Sequence, residues 1–387
     1  MKHLLEKYAD KMVAAGLAAD GEPLIGGIDA DLLWNRPDPR TAELEKVFAG
    51  LNINSLLFSK PAEPYSHIID YLTSQDADAI FPMDCETRTF LHDLPVIHEF
   101  DAGLIIDRLK QRKSVIVAGD GIVTWGTVSP EQAFIFFSSV CFACFVKFFS
   151  DYLVAYREET VSPAFQAVFD DVITQLDEIP DELPQLIAGP FKSENMVYQA
   201  ISEAGRLTVD YRLVDSFFGN VSYIRNGILY ISQTGSSLDE LEGCIDPCPL
   251  DGSSCTSITA SSEFIAHRDA LALCGKTGIL HGHPKFSVIM SMDCRDENCE
   301  FKGRCHSKCP KTRYIDDIPV VSGEVGTGPT GLCNTLPRAM QGNRGVIVYG
   351  HGLFTVAEND FNKAFATLLD VERMCRDRYF REVGIFA

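Results

Sequence analysis

The stretch "RKSVIVAGDGIVTWGTVSPEQAF" (residues 112–134) contains the pattern that decides the fold. Its β-branched run predicts a buried strand, its Gly-x-Gly predicts a tight turn, and the residues after the turn predict a second strand followed by a helix. The same pattern returns as "NRGVIVYGHGLFTVAENDFNKAF" (residues 343–365). A unit that occurs twice in one chain indicates two domains built on one plan.

Matches between the two halves extend upstream of this unit. "HDLPVI" (92–97) is similar to "DDIPVV" (316–321), and "YSHIIDYL" (65–72) is similar to "FIAHRDAL" (264–271). Strands alternate with helices in both halves, which predicts an α/β fold. The segment between the halves is acidic, has a helical period and ends in prolines. We therefore predict three parts, namely a first domain at 1–155, a helical linker at 156–189 and a second domain at 190–387.

The amino-acid composition limits the kinds of partner that the protein is expected to bind. The formal charge of −20 over 387 residues repels phosphate backbones, so we expect no nucleic acid partner. The N-terminus lacks the uninterrupted apolar run of a secretion signal, which predicts a cytoplasmic protein. The most apolar segment, "AFIFFSSVCFACFV" (133–146), is shorter than the roughly 20 residues that cross a bilayer. It predicts a buried helix and no contact with a membrane.

Three histidines form a candidate metal site in the second half. His281 and His283 lie two residues apart in a predicted strand, so both imidazoles project from the same face. His351 follows the strand "GVIVY" and is flanked by glycines that permit a sharp turn. Three neutral imidazoles leave one coordination position for substrate, which is typical of a catalytic zinc site. Taken alone, the His-x-His pair is equally compatible with a solvated strand end. The first half has Asp120 where the second has His351, so only the second half can form this site.

Polar residues that could complete a site lie nearby in the sequence. Glu263 follows Ser261 and Ser262 at a predicted helix N-terminus. Backbone N–H groups at such a position attract anions, and a carboxylate beside a metal ion can take or give a proton. Upstream, "FFGNVSYI" (217–224) and "ISQTGSS" (231–237) predict two turns rich in small polar residues.

Five short motifs together resemble the class II aldolase and adducin family. The resemblance covers about 190–387 in full and about 60–150 in degenerate form. Members of that family include fuculose-phosphate, rhamnulose-phosphate and methylthioribulose-phosphate enzymes, and ribulose-phosphate 4-epimerase. The motifs occur in the family's order and spacing and are Gly219-Asn220-Val221-Ser222, Thr234-Gly235, Ser261-Ser262-Glu263, His281-Gly282-His283-Pro284 and Gly350-His351-Gly352.

The resemblance implies a fold and a reaction. The fold would be two tandem α/β/α domains, each with a central, mainly antiparallel sheet flanked by helices, and with a degenerate N-terminal copy. The reaction would be a metal-dependent, reversible aldol cleavage of a small, phosphorylated ketose through a metal-stabilised enediolate. Alternatives are a sugar-phosphate 4-epimerase of the same family and a non-catalytic, adducin-like interaction protein. The resemblance also implies a homo-oligomer, because family sites lie at subunit interfaces.

The resemblance also implies roles for particular residues. His281, His283 and His351 would hold a divalent ion, most often zinc, and Glu263 would be the acid and base. The residues implied for the substrate or phosphate pocket are Gly219, Asn220, Thr234, Gly235, Ser261 and Ser262. Two positions depart from the family. Phe217 stands where a small threonine is common and Gln233 stands where proline is common, which puts the phosphate group in doubt.

A cysteine-rich insertion is not general in the family. Cys294, Cys299, Cys305 and Cys309 lie within sixteen residues. Four thiolates at this spacing could bind a second zinc ion or an iron–sulfur cluster. Disulfides or free thiols are the remaining alternatives.

Overall fold

The computed structural model describes residues 1–74, 78–214, 218–296, 298–323 and 328–385. The chain forms two compact units, Met1–Asp177 and Glu178–Ala387. The division falls inside the segment 156–189, and the helix Pro163–Thr174 of that segment packs within the first unit.

The first unit has a seven-stranded sheet among the residues described. From one edge to the other the strand order is β2-β1-β3-β7-β6-β5-β4, and the pairs are antiparallel except β5 with β6. Its strands are β1 (Leu24–Ile28), β2 (Leu32–Trp34), β3 (Ser55–Ser59), β4 (Ala79–Ile80), β5 (Leu94–Ile97), β6 (Ser114–Val117) and β7 (Gly121–Gly126). Its helices are α1 (Lys2–Ala14), α2 (Thr41–Gly50), α3 (Tyr65–Thr73), α4 (Cys85–Phe90), α5 (Ala102–Leu109), α6 (Pro130–Arg157) and α7 (Pro163–Thr174).

Helix α6 is the most apolar element of the chain. It begins at Pro130, a residue that suits the first turn of a helix, and the Ser129 hydroxyl before it makes no capping hydrogen bond. It is the one helix of the described residues that is long and apolar enough to cross a membrane, yet 94% of its most apolar window is buried inside the protein. Its aromatic side chains pack against those of α3 and α7, for example Phe148 against Tyr71 and Phe165. The helix therefore belongs to the core of the first unit.

The second unit has an eight-stranded sheet among the residues described. The strand order is β10-β9-β8-β11-β15-β14-β13-β12, and the pairs are antiparallel except β13 with β14. Its strands are β8 (Asn220–Arg225), β9 (Ile228–Ser232), β10 (Ile245–Pro249), β11 (Gly278–Gly282), β12 (Arg313–Ile315), β13 (Ile318–Val321), β14 (Gly345–Val348) and β15 (Gly352–Ala357). Its helices are α8 (Glu194–Asp210), α9 (Phe264–Cys274), α10 (Lys285–Met292), α11 (Cys305–Lys308), α12 (Leu332–Met340) and α13 (Asn362–Glu382).

The two sheets share one strand order over seven strands. When the edge strand β10 is set aside, β9-β8-β11-β15-β14-β13-β12 repeats the order of the first sheet, including its single parallel pair. The predicted α/β class with mainly antiparallel sheets flanked by helices is confirmed. The predicted match of 65–72 with 264–271 is wrong as a structural equivalence, because α3 follows β3 whereas α9 precedes β11. The counterpart of α9 is α2, which precedes β3.

Candidate metal and active site

The His-x-His pair lies where β11 ends. His281 is the fourth residue of that strand, and His283 lies just past its end, before α10 begins. Because residues two apart in an extended chain face the same side, the two rings meet, and their Nε2 atoms lie 3.0 Å apart. The two imidazoles can therefore act together as a pair of metal ligands where β11 ends.

The third imidazole reaches the pair from the turn between β14 and β15. His351 Nε2 lies 3.3 Å from His281 Nε2, and the ligand nitrogens of the three rings all lie within 4.8 Å of one another. Gly350 has a φ of 59°, a left-handed conformation that glycine adopts without strain. The three side chains are 1%, 3% and 4% exposed for His281, His283 and His351 respectively. The structure therefore brings together the three histidines that the sequence singles out.

The spacing of these nitrogens fits a tetrahedral metal ion. Zinc–nitrogen bonds of about 2.0–2.1 Å in a tetrahedron give nitrogen–nitrogen edges of about 3.3 Å. The two observed separations from His281 Nε2, 3.0 Å and 3.3 Å, are close to this value. Two of the three separations thus fit a tetrahedral divalent ion, and the ligand atoms of the third pair, His283 and His351, lie within 4.8 Å of each other.

The protein fixes which nitrogen of His281 faces the centre. His281 Nδ1 lies 3.0 Å from the Leu353 carbonyl oxygen and donates its proton there, so Nε2 keeps its lone pair. The ring also stacks on Phe354, with centroids 3.6 Å apart. Burial lowers the pKa of His281 to about 3 and lowers the pKa of His283 well below its usual value. Both rings are therefore neutral near pH 7, the state in which imidazole binds a metal.

Glu263 borders the same centre. It occupies the N-cap position of α9, and its Oε1 lies 3.0 Å from His351 Nε2 while its Oε2 lies 3.7 Å from His281 Nε2. Asn220 Nδ2 donates to Glu263 Oε2 at 2.7 Å. Burial opposes ionisation, but the neighbouring imidazoles, first of all His281 and then His351, lower the pKa of Glu263 overall. An ionised carboxylate therefore lies against the candidate metal position.

The turns assigned to the pocket lie beside the segment that precedes α9. The Thr234 hydroxyl donates to the Ala260 carbonyl at 2.9 Å, and the backbones of Gln233 and Ala260 form a bridge. Asp246 joins both segments, accepting from Gln233 Nε2 at 2.8 Å and from the Thr259 hydroxyl at 2.7 Å. The sequence gives no signal for this role of Asp246. Gln233 therefore fixes the position of the Thr234-Gly235 turn through its contacts with Asp246 and Ala260.

The other predicted pocket residues differ in exposure and contacts. Ser262 and Gly235 are exposed, whereas Ser261 is buried and its hydroxyl accepts from the Glu263 N–H at 3.3 Å. Gly219 packs against β11, and a Cβ there would lie 2.3 Å from the His281 carbonyl oxygen. Gly219 thus permits a close approach of two backbones. Phe217, which stands where a small threonine is common in the family, lies outside the described residues.

Two further residues support the site, and no pattern in the sequence points to them. Ser291 in α10 accepts a hydrogen bond from the Gly350 N–H at 2.8 Å and so anchors the turn that carries His351. Glu372 in α13 accepts from the N–H groups of Phe286 and Ser287, both at 2.8 Å. These N–H groups belong to the first turn of α10, directly after His283. A buried carboxylate therefore caps the helix that follows the His-x-His pair.

We expect Gly352→Ala to disturb the candidate metal site. A Cβ at this position would lie 2.5 Å from the Gly282 carbonyl oxygen and 2.7 Å from a ring carbon of His283. Backbone cannot yield as a flexible side chain can, so we expect a loss of about 1–3 kcal/mol in the free energy of unfolding. We also expect a lower metal content, measured by elemental analysis. Gly328→Ala is the matched control, because its Cβ would meet no atom of the described residues within 4 Å. Equal metal content in both variants would contradict the proposed packing.

The buried histidines predict acid lability of the metal-free protein. Burial lowers the pKa of His267 to about 4 and that of His281 to about 3, from 6.5. Between pH 6.5 and these values the unfolded chain binds protons that the folded chain does not. Stability present above pH 6.5 is therefore lost as the pH falls, by about 2 kcal/mol for each of these histidines at pH 5. Urea unfolding at pH 7 and pH 5 measures this loss. A free energy of unfolding that is equal at both pH values would contradict it.

The first unit lacks the three histidines at the corresponding positions. Phe58 of β3 pairs with Val123, which lies two residues after the start of β7. His281 of β11 pairs with Phe354, which likewise lies two residues after the start of β15. Phe58 therefore takes the place of His281. By the same count, Lys60 takes the place of His283.

In the first unit, a guanidinium lies at the corner of the sheet that corresponds to the histidine site. Arg40 precedes α2 as Glu263 precedes α9, and Asp120 precedes β7 as His351 precedes β15. The Arg40 guanidinium lies 4.9 Å from the centre of the Phe58 ring and 3.9 Å from Asp120 Oδ1. A cationic side chain thus occupies the position at which the second unit would bind an ion.

The four cysteines of the insertion border one cavity. Cys294, Cys299, Cys305 and Cys309 all line it, and none of them forms a disulfide. The cavity is lined by none of the three histidines. The four cysteines thus lie around one cavity, at a location distinct from the imidazoles.

Comparisons with known proteins point to one family. Residues 199–379 match the family described as "Class II Aldolase and Adducin N-terminal domain". Comparison with curated proteins finds no match.

Similar solved structures cover about half of this chain. L-fuculose-1-phosphate aldolase from Thermus thermophilus is 20% identical with a TM-score of 0.41, over 50% of this chain and 99% of that one. YgbL from Klebsiella pneumoniae, for which aldolase, epimerase and decarboxylase activities are considered, is 18% identical with a TM-score of 0.39, over 48% and 89%. A sugar-phosphate aldolase from Thermotoga maritima is 18% identical with a TM-score of 0.36, over 50% and 97%. From the family match, residues 199–379 of this chain belong to the class II aldolase and adducin family.

Proposed function

We propose that the second unit is a metal-dependent aldolase that reversibly cleaves a carbon–carbon bond in a small, phosphorylated ketose. The convergence of three buried imidazoles beside an ionised carboxylate carries this proposal. Such a site serves proton transfer next to a polarised carbonyl. The membership of residues 199–379 in a family that contains aldolases supports it.

The histidines define what the site would bind. His281, His283 and His351 would hold a divalent ion through their Nε2 atoms, and zinc suits three imidazoles in a tetrahedral arrangement. When bound, such an ion would polarise the ketone and the adjacent hydroxyl of the substrate. The Leu353 carbonyl and the Phe354 ring hold His281 in its ligand orientation.

Glu263 is the proposed proton carrier. Cleavage breaks the bond between two substrate carbons, and the hydroxyl proton of the departing aldehyde moves to a base. The electron pair stays on the donor fragment, whose carbon then takes a proton. Glu263 is ionised and can accept the first proton and return one in the second step. Asn220 holds one carboxylate oxygen, which fixes the orientation of Glu263.

The pocket beside Glu263 is proposed to bind the phosphate. The exposed Ser262 and the Thr234-Gly235 turn flank the N-terminus of α9. Unpaired N–H groups of a helix N-terminus and small hydroxyl side chains are suited to an anion. Asn220 Oδ1 is buried and has no hydrogen-bond partner among the residues described, so it is available to a substrate hydroxyl.

We further propose that the first unit is a degenerate copy that binds no ion at the corresponding corner. Phe58 offers no ligand atom there, and Lys60 offers an ammonium group rather than an imidazole. The Arg40 guanidinium already lies beside Asp120. A second divalent ion at this corner would face two positive side chains.

Elemental analysis and product analysis test the proposed function. The full chain is incubated with a panel of ketose 1-phosphates, and dihydroxyacetone phosphate and free aldehyde are measured. We expect release of both, and we expect removal of metal by a chelator to abolish it. An isomerised sugar phosphate without new aldehyde would instead identify a 4-epimerase. Metal-replete protein that changes none of these substrates would favour a non-catalytic, adducin-like role.

A further inference from the structure

The cysteine-rich segment forms a cavity of about 230 Å³ in the second unit. The thiols that border it come from the loop after α10, from the short helix α11 and from the residue after that helix. Cys305 and Cys309 lie four residues apart, at the two ends of α11, whereas Cys294 and Cys299 precede this helix. Cys244, Cys248 and Cys255 do not line the cavity.

Among the described residues, the four thiols do not form a group that could hold a single metal ion. Zinc–sulfur bonds of about 2.3 Å would place four sulfurs about 3.8 Å from one another. Over the part of the chain that the structure describes, the histidine triad is the set whose ligand atoms lie within 4.8 Å of one another. The four cysteines instead line one cavity, which suits a ligand larger than one ion.

A [4Fe–4S] cluster has the size and the ligand set that this cavity requires. Four cysteine thiolates bind such a cluster, each at a different iron at a corner of the cube, so the sulfurs stand apart from one another. We propose that Cys294, Cys299, Cys305 and Cys309 bind a [4Fe–4S] cluster in this cavity. This site is separate from the proposed aldolase site and does not depend on it.

The charges around the cavity suit an anionic group. Four thiolates with the cube carry a net negative charge, which cationic neighbours stabilise. Four basic residues line the cavity, whereas Asp296 is its one acidic residue among those described and is paired with Lys311 at 2.7 Å. The basic residues are Arg295, Lys302, Lys311 and Arg313. Arg295 also pairs with Glu382, at 2.7 Å.

The remaining walls support a defined site rather than an open loop. Val320 and Val321 of β13 and the aromatic residue Tyr349 close the cavity on the sheet side. Arg313 donates to the Asp293 carbonyl at 2.8 Å and also to the Ser291 carbonyl. The segment that carries Cys294 is therefore fixed to the sheet on which the cluster would rest.

The test uses the full chain purified without oxygen. We expect about four iron atoms and four sulfides per chain, a broad visible absorption, and a paramagnetic signal after reduction with dithionite. Cys299→Ser and Cys305→Ser are expected to abolish the visible absorption. Cys255→Ser is the matched control, because Cys255 is exposed and lies outside the cavity, and it is expected to keep the absorption.

The outcomes separate this site from the histidine site. His283→Ala is expected to keep the visible absorption, because His283 does not line the cavity. Zinc without iron or sulfide in the wild-type protein would overturn the proposal, whatever its aldolase activity. So would a colourless protein that takes up no cluster when supplied with ferrous iron and sulfide. Circular dichroism of each serine variant checks that loss of colour is not loss of the fold.

Discussion

Glu263→Gln is expected to lower kcat by about a thousandfold while the protein keeps its metal ion. Glutamine preserves the size of the side chain and can still contact Asn220 and His351, but it cannot accept a proton at neutral pH. General acid–base groups contribute about 10²–10⁴-fold to rates, so a loss in this range is expected. Steady-state kinetics with the substrate found in the panel and elemental analysis of the same sample measure the two effects together.

The control for this substitution is Glu242→Gln. Glu242 is an exposed glutamate of the same unit, so its replacement changes the net charge equally without touching the site. Its kinetics are expected to equal those of the wild type. If Glu263→Gln instead lost the metal ion, Glu263 would be a ligand rather than the proton carrier. The distance of 3.0 Å from Glu263 Oε1 to His351 Nε2 makes this a real alternative for the experiment to decide.

His283→Ala is expected to lower metal affinity by more than a hundredfold and to remove activity. Changes to residues that only support a ligand already cost about 10–100-fold in metal affinity, and the loss of a ligand itself is expected to cost more. His283 is 3% exposed and stacks on Phe218, so alanine also leaves a cavity and lowers stability. Titration of the metal-free protein with zinc, followed by calorimetry, measures the affinity.

The matched control for His283→Ala is His98→Ala, because His98 is exposed and lies in the first unit. This variant is expected to bind metal as the wild type does. Unchanged affinity in His283→Ala would mean that the three rings do not act as one ligand set. Reduced affinity with full activity would mean that the reaction does not need the ion.

Much of the candidate site could be predicted from local patterns. The two-residue spacing of His281 and His283 places both rings on one face of a strand, and the structure has them in contact. The position of Glu263 before a helix is equally local. By contrast, the stacking of Phe354 on His281 depends on the pairing of β11 with β15, which lie far apart in the chain, and no local pattern gives that register.

Local patterns cannot distinguish two helices that occupy different places in their units. The segments 65–72 and 264–271 are both short helices with a similar alternation of apolar and polar residues, and such a pattern recurs wherever a helix packs on a sheet. Only the strand order shows that they are not equivalent. A close approach of two backbones is equally hidden from the sequence. The resemblance assigns Gly219 to the substrate pocket, and in the structure its missing side chain makes room for the carbonyl of His281.

The arginine at the corner of the first unit has a consequence for how the chain responds to its surroundings. A guanidinium is covalently attached and stays charged at any physiological pH, so no chelator can withdraw it. The second unit, if it binds an ion as proposed, takes its positive charge from a dissolved metal ion, which can dissociate again. Scarcity of metal would then remove the positive charge from the proposed site of the second unit, whereas the guanidinium of the first unit would remain.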